Sequence, residues 1–175
     1  SEGHPFTGFL YAGLMIDAQG KPRTVEFNVR LGDPEAQVLL MRMKSDLLSL
    51  LLHATDGTLD KVELQWDRRT ALGVVMAAHG YPQQPRKGDV INGVPAATDD
   101  ARVFHAGTAL DDEGRLVTSG GRVLCVTALG DTPRTAQQRA YEMVKPISFA
   151  GAQWRTDIGH RAIKGMRCPP SHASP

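Results

Sequence analysis

Cysteine is scarce in this sequence of 175 residues: Cys125 and Cys168 are the only two. Cys125 falls inside an apolar, strand-like run and Cys168 in a proline-containing tail, so neither a disulfide framework nor a zinc site is supported. Aromatic residues make up 6% of the chain and the formal net charge is +1. With no basic stripe interleaved with aromatics, the sequence carries no footprint for nucleic acid. No apolar run approaches the ~20 residues that span a bilayer, so no membrane partner is expected. Leu47 to Leu52 are rich in leucine, but the run is short and flanked by charge, and it reads as a buried helix face. The opening Ser1-Glu2-Gly3-His4-Pro5 lacks the basic and apolar regions of a signal peptide. The cytoplasm is the expected compartment. What remains is ordinary: 41% hydrophobic and 22% charged residues, the composition of a soluble globular protein of one or two domains with a real core.

The most informative stretch runs from Val25 to Gln37. Read as a strand, it places Val25, Phe27 and Val29 on one face and Glu26, Asn28 and Arg30 on the other. The apolar face is expected on a core. The opposite face offers a carboxylate, an amide oxygen and a guanidinium, which suits a hard cation carrying phosphates; an arginine beside it can grip phosphate or carboxylate oxygens. The same alternation also fits a solvated sheet surface. Gly32-Asp33-Pro34-Glu35 then gives a tight turn, with a proline to open a helix and acids near its positive end.

Along the chain, Gly8 to Asp17 and Thr24 to Arg30 read as a hairpin around Ala18-Gln19-Gly20-Lys21-Pro22. Val38, Leu39, Met41 and Met43 suit a first helix. Leu47, Leu48, Leu51 and Leu52 suit a second, capped near Ser45-Asp46 and stopped at Gly57. Charge interrupts the pattern between Leu59 and Thr70. Ala71 to Ala78 is the next strand, and 83–100 reads as loop with a short strand at Val90-Ile91. Strands follow at Ala101 to Thr108, Arg115 to Thr118 and Gly121 to Leu129. Thr132-Pro133 opens a helix with Ala136, Ala140, Met143 and Val144 buried. An extended piece from Gln153 to Ile158 precedes a tail expected to be disordered from about Gly165.

The run Arg30-Leu31-Gly32-Asp33-Pro34-Glu35-Ala36-Gln37 resembles the signature of the phosphoribosylamine–glycine ligase (glycinamide ribonucleotide synthetase) family, ATP-grasp enzymes of purine biosynthesis. Glu-x-Asn-x-Arg alone is shared with other ATP-grasp enzymes, including biotin carboxylase-like ones. Further landmarks in family-like order are Arg86-Lys87-Gly88-Asp89, Val103-Phe104-His105-Ala106-Gly107-Thr108, Thr118-Ser119-Gly120-Gly121-Arg122-Val123-Leu124, Gln137-Gln138-Arg139-Ala140-Tyr141 and Arg155-Thr156-Asp157-Ile158-Gly159. The resemblance runs from about Phe6 to Ile163 and covers only a C-terminal portion of such a ligase. The chain is therefore expected to be a fragment, inactive alone and completed by the absent amino-terminal portion.

The resemblance implies an α+β fold: residues 1–60 as the C-terminal part of an ATP-grasp antiparallel sheet with helices, 61–165 as a small, mostly antiparallel β domain with a packed helix, and 166–175 as a tail. It implies ATP and Mg²⁺ (or Mn²⁺) as cofactors, with glycine and 5-phosphoribosylamine as substrates. The glycine carboxylate would attack the γ-phosphate to give glycyl phosphate, and the amine of phosphoribosylamine would displace phosphate. On this resemblance Glu26 and Asn28 hold the metal. Arg30 is the catalytic residue, contacting the transferring phosphoryl group or the glycine carboxylate. Gly32, Asp33 and Glu35 bound the glycine site, Asp33 being the expected contact for the amine. Glu35 fits equally a first-turn acid complementing the helix dipole. His105 reads as structural. The Thr118–Gly121 run fits a phosphate cradle or a hairpin turn, and Arg86 and Lys87 read as solvated loop residues. The competing readings are another ATP-grasp carboxylate–amine ligase or carboxylase, and a non-catalytic binding module of the same fold.

Overall fold

The computed structural model describes residues 3–165, so the expected disorder of the tail falls outside the described residues. The chain opens with the hairpin foreseen in the sequence, β1 (Tyr11–Ile16) against β2 (Pro22–Asn28). Asp17 shapes its turn: the carboxylate accepts from the amides of Gln19 and Lys21 at 3.0 and 2.9 Å. The pairing departs from simple alternation, because Gly13 faces Glu26 while Leu14 faces Thr24. Val25 is thus the extra residue of a β-bulge. β2 also stops at Asn28, so Arg30 lies in the bend beyond the strand rather than on it.

The apolar face does not pack on a core as expected: Val25, Phe27 and Val29 are 66%, 64% and 71% exposed. The hairpin forms a two-stranded sheet of its own, and two strands without a covering layer have nothing to bury that face against. The leucine stripe departs likewise. In α2 (Leu47–Thr55) Leu50 alone is buried, and Leu48 and Leu52 are exposed. α2 packs on the short 3-10 turn Leu59–Lys61, too small a surface to cover the stripe. Its limits are as expected: Asp46 caps it by accepting from the Ser49 amide at 2.7 Å, and Gly57 follows with φ +66°.

The core lies downstream. β3 (Thr70–Ala77), β7 (Arg122–Gly130) and β4 (Ala101–His105) form an antiparallel sheet in that order, with β7 in the middle. Alternation divides its residues between two faces. Val74, Met76, Leu124, Val126 and Ala128 cluster with Ala136, Ala140 and Val144 of α3 (Pro133–Val144). Gly73, Cys125 and Thr127 face the other way, toward α1 (Glu35–Arg42); a Cβ on Gly73 would stand 3.2 Å from both Val38 Cγ1 and Cys125 Sγ. Burial raises the Cys125 thiol above its ordinary pKa, which suits a packing role. Thr132 caps α3 by accepting from the Thr135 amide at 3.1 Å, with Pro133 in its first turn.

β5 (Thr108–Leu110) and β6 (Leu116–Thr118) make a second hairpin around the Asp111 turn. The strand expected at Val90-Ile91 reduces to isolated bridges, Val90 to Val117 and Asn92 to Ser148. The extended piece from Gln153 is bridged at Gln153 to Ala77 and then gives way to α4 (His160–Lys164), a five-residue helix not expected from the sequence. The result is the α+β arrangement implied by the resemblance. α1 lies against the β3–β7 sheet, and this brings the turn that precedes it to the first residue of β7.

Candidate functional site

Glu26 projects from β2 opposite Gly13, where a Cβ would stand 3.1 Å from Glu26 Cγ; the glycine leaves the carboxylate room. Asn28 faces Tyr11 across the hairpin, and its Nδ2 is buried without a hydrogen-bond partner. Tyr11 reaches toward the helix, donating from its hydroxyl to Glu35 Oε1 at 3.5 Å. The carboxylate of Glu35, then burial, then Glu26, raise the Tyr11 phenol above its ordinary pKa. The neutral phenol therefore stands between two acids, with the Arg30 guanidinium opposing their effect.

The turn closes the other side. Gly32 is buried, and a Cβ there would collide with the Glu35 carboxylate. Its carbonyl accepts from the Ala36 amide at 2.9 Å and so starts α1, one residue after Pro34. Asp33 Oδ1 accepts from Gln37 Nε2 at 2.9 Å, which leaves Oδ2 toward Arg122 at 3.8 Å. Arg30 Nη1 donates to the Leu31 carbonyl at 3.1 Å, which bends the guanidinium back over the turn.

Together Tyr11, Glu26, Arg30, Gly32, Asp33, Glu35 and Arg122 line a cleft of about 270 Å³. Five of the six residues singled out from the sequence thus meet; Asn28 does not line the cleft. The structure adds Arg122, which the sequence marks only as part of a family landmark and not as a site residue. Arg122 opens β7 and donates from Nη1 to the Asp33 carbonyl and from Nε to the Tyr81 hydroxyl at 3.0 Å. That bond to Tyr81 is the main reason its pKa stands above the ordinary arginine value. A charged residue at the head of the apolar run 122–130 is the signal that would have found it.

The donor set fits a divalent cation. Glu26 and Asn28 stand two positions apart on β2, and rotating the unsatisfied Asn28 amide exchanges its nitrogen for an oxygen ligand. Among the described residues no three His, Cys, Asp or Glu side chains gather as a metal cage. Magnesium needs none, since one or two protein groups plus phosphate oxygens commonly hold it.

Other landmarks take structural places. His105 is exposed and its Nδ1 pairs with Thr108 Oγ1 at 3.2 Å. Gly107 and Gly120 approach so closely that a Cβ on Gly107 would stand 2.6 Å from Gly120 Cα, which favours the turn reading of the glycines. Arg86 is paired with Asp89 at 2.7 Å and donates to the Ala150 carbonyl, while Lys87 is exposed.

Comparison with known proteins bears on the family and the fold. Residues 71–161 match the family described as phosphoribosylglycinamide synthetase, C domain, and residues 1–36 match phosphoribosylglycinamide synthetase, ATP-grasp (A) domain. A phosphoribosylamine–glycine ligase of Ralstonia nicotianae is 64% identical over 163 residues, covering 93% of this chain and 38% of that protein. The Escherichia coli O157:H7 ligase is 58% identical over 165 residues, covering 94% and 38%. The chain thus spans about 38% of the length of these curated relatives. The crystal structure of the Thermotoga maritima phosphoribosylamine–glycine ligase superposes with a TM-score of 0.74 at 39% identity, over 89% of this chain and 38% of that one. The biotin carboxylase domain of Hydrogenobacter thermophilus 2-oxoglutarate carboxylase shares the fold, with a TM-score of 0.59 at 15% identity over 82% of this chain and 32% of that one. The chain belongs to the phosphoribosylglycinamide synthetase family, with matches to its C domain over residues 71–161 and to its ATP-grasp (A) domain over residues 1–36.

Proposed function

We propose that the chain is the C-terminal portion of a cytoplasmic ligase that joins glycine to 5-phosphoribosylamine at the expense of ATP, releasing ADP and phosphate in purine biosynthesis. The observation that carries this reading is the cleft in which Glu26, Arg30, Asp33 and Glu35 converge within family-matched sequence. We place the division between the ATP-grasp part and the C-terminal domain at residues 60 and 61.

Glu26 and Asn28 are assigned to a divalent cation, Mg²⁺ or Mn²⁺, which when bound neutralises phosphate charge. Arg30 is assigned to the transferring phosphoryl group or the glycine carboxylate, Asp33 to the glycine amine, and Gly32 and Glu35 to the wall of the glycine site. Glycine carboxylate attacks the γ-phosphorus, the bond to the β-phosphate oxygen breaks, and ADP leaves. The amine of phosphoribosylamine then attacks the carbonyl carbon of glycyl phosphate; a C–N bond forms, phosphate departs and the amine loses a proton. Such chemistry needs charge neutralisation and alignment more than acid–base catalysis. The chain's own contribution is a rigid anionic and cationic wall: Arg122 fixes the Asp33 carbonyl, and the Ala36–Gly32 bond fixes the turn.

The adenine site and the remaining substrate contacts are assigned to the amino-terminal portion, for which the exposed face of the hairpin is the expected seat. The test is magnesium-dependent ADP formation with glycine and phosphoribosylamine, for the chain alone and with that portion added. Activity only in the mixture, lost in Glu26→Ala, supports the reading. Inactivity of a folded, associated mixture would leave a non-catalytic module.

A further inference from the structure

Strict alternation along β7 would put Arg122 on the same face as Leu124, Val126 and Ala128, inside the core. The pairing with β3 prevents this. Leu124 pairs with Met76 but Arg122 pairs with Ala77, so Val123 is the extra residue of a β-bulge and joins the core itself. Arg122 is thereby turned to the opposite face of the sheet, where it lines the cleft with Asp33 and Glu35.

A bulge sets the face of a long side chain but not its direction. Tyr81 supplies the direction. The chain leaves β3 through a tight turn, in which the Ala78 amide donates to the Gly121 carbonyl at 2.8 Å and the Tyr81 amide to the Ala78 carbonyl at 3.2 Å. The Gln84 amide closes the loop on the Gly80 carbonyl at 2.8 Å. The Tyr81 ring then lies over Gly121, where a Cβ would stand 2.5 Å from Cδ2 and 2.9 Å from Cε2. Its hydroxyl accepts from Arg122 Nε at 3.0 Å, and Arg122 Nη1 donates to the Asp33 carbonyl. The same Nη1 stands 3.8 Å from Asp33 Oδ2. One edge of the guanidinium is thus held by the phenol while its far end holds the turn. The Arg122 side chain is 43% exposed, and an arginine this open keeps its rotamer freedom unless a partner restrains it.

We propose that Tyr81 is a positioning residue for the glycine site: acting through Arg122, it fixes Asp33 where the amine of glycine is received. This role rests on the ligase reading, in which Asp33 contacts that amine. It joins two parts of the chain, since Tyr81 and Arg122 fall within residues 71–161, matched to the C domain, and Asp33 within residues 1–36, matched to the ATP-grasp domain. The later part then contributes to chemistry whose substrate contacts lie in the earlier one.

The test is Tyr81→Phe, which keeps the ring over Gly121 and removes only the acceptor. In the ¹⁵N-labelled chain the Arg122 Nε–H resonance should shift and exchange faster with water, and the amides of Gly32, Asp33 and Glu35 should move with it. In the mixture with the amino-terminal portion the KM for glycine should rise roughly three- to tenfold, the scale of one hydrogen bond to a charged group felt through a second. The kcat and the KM for ATP should stay near the parent values. Gly121→Ala, which pushes the ring from its seat, should reproduce the rise, and Lys87→Gln on the same loop should leave it unchanged. The role is overturned by unmoved turn amides in Tyr81→Phe, by an unchanged glycine KM in an active mixture, or by equal rises for glycine and ATP, the mark of general damage. If Gly121→Ala fails to fold, Tyr81→Phe decides alone. A parent mixture that forms no ADP removes the ligase reading and this role together, whereas an active parent whose Tyr81→Phe variant keeps its glycine KM removes only the role.

Discussion

Gly32 has no side chain where the Glu35 carboxylate folds back, so any Cβ there must push that flexible side chain aside. Gly32→Ala should displace Glu35 from the cleft and weaken glycine use with little change in global stability, read as a raised KM for glycine in the reconstituted ligase. Arg30→Gln removes a charge expected to act in the transition state; kcat should fall on the order of 10²–10³-fold while the chain stays folded. A separate pair tests electrostatics away from the cleft. The Asp67 carboxylate accepts from Arg69 at 2.8 Å, and Arg69 also reaches Asp100 at 2.5 Å. The side-chain bond from Arg69 is the main reason Asp67 lies well below its ordinary pKa of 3.8. Unfolded Asp67 therefore takes up its proton at higher pH than folded Asp67. The stabilisation is complete above 3.8 and is lost as pH falls toward the folded value. The difference in Tm between the parent and Arg69→Gln should accordingly shrink as pH drops below 3.8.

At the scale of elements, caps and alternation were readable because they are local. Thr132-Pro133 and Asp46 mark helix starts through one side-chain bond each, and that information lies within three residues. Asp46→Ala should cost about 0.5–2 kcal/mol, seen as a lower denaturant midpoint. The apolar run of β7 announced a strand, and pairing on both edges makes it the central one, with Leu124 fully buried. Leu124→Ala should cost about 2–5 kcal/mol by urea unfolding. The end of β2 was less legible. Glu26, Asn28 and Arg30 alternate in sequence, but the bulge at Val25 and the bend after Asn28 depend on how β1 pairs. α4 escaped notice because five residues carry too short a period to detect.

For the whole molecule the largest departure is the hairpin's bare apolar face. Leu14 and Phe27 are exposed, together with Val25 and Val29. Alternation correctly told which residues are apolar but not what covers them, since burial is decided by layers far apart in sequence. Substituting Leu14 and Phe27 with serine should leave the Tm of the chain nearly unchanged, because exposed residues contribute little to folding. It should weaken association with the amino-terminal portion, read by sedimentation of the mixture. Unchanged association would move the contact elsewhere.

The sequence by itself determined the family, the α+β class and most of the strands and helices, because periodicity, caps and a contiguous motif are written in neighbouring residues. Only tertiary structure decided that Arg122, from the far side of the chain, donates to the Asp33 carbonyl, and that Asn28 stands outside the cleft its neighbours line. The reason is physical: α1 packs across β3 and β7, and this packing carries the turn between residues 32 and 35 to the head of a strand nearly ninety residues later. No local pattern encodes an encounter between segments so distant in the chain.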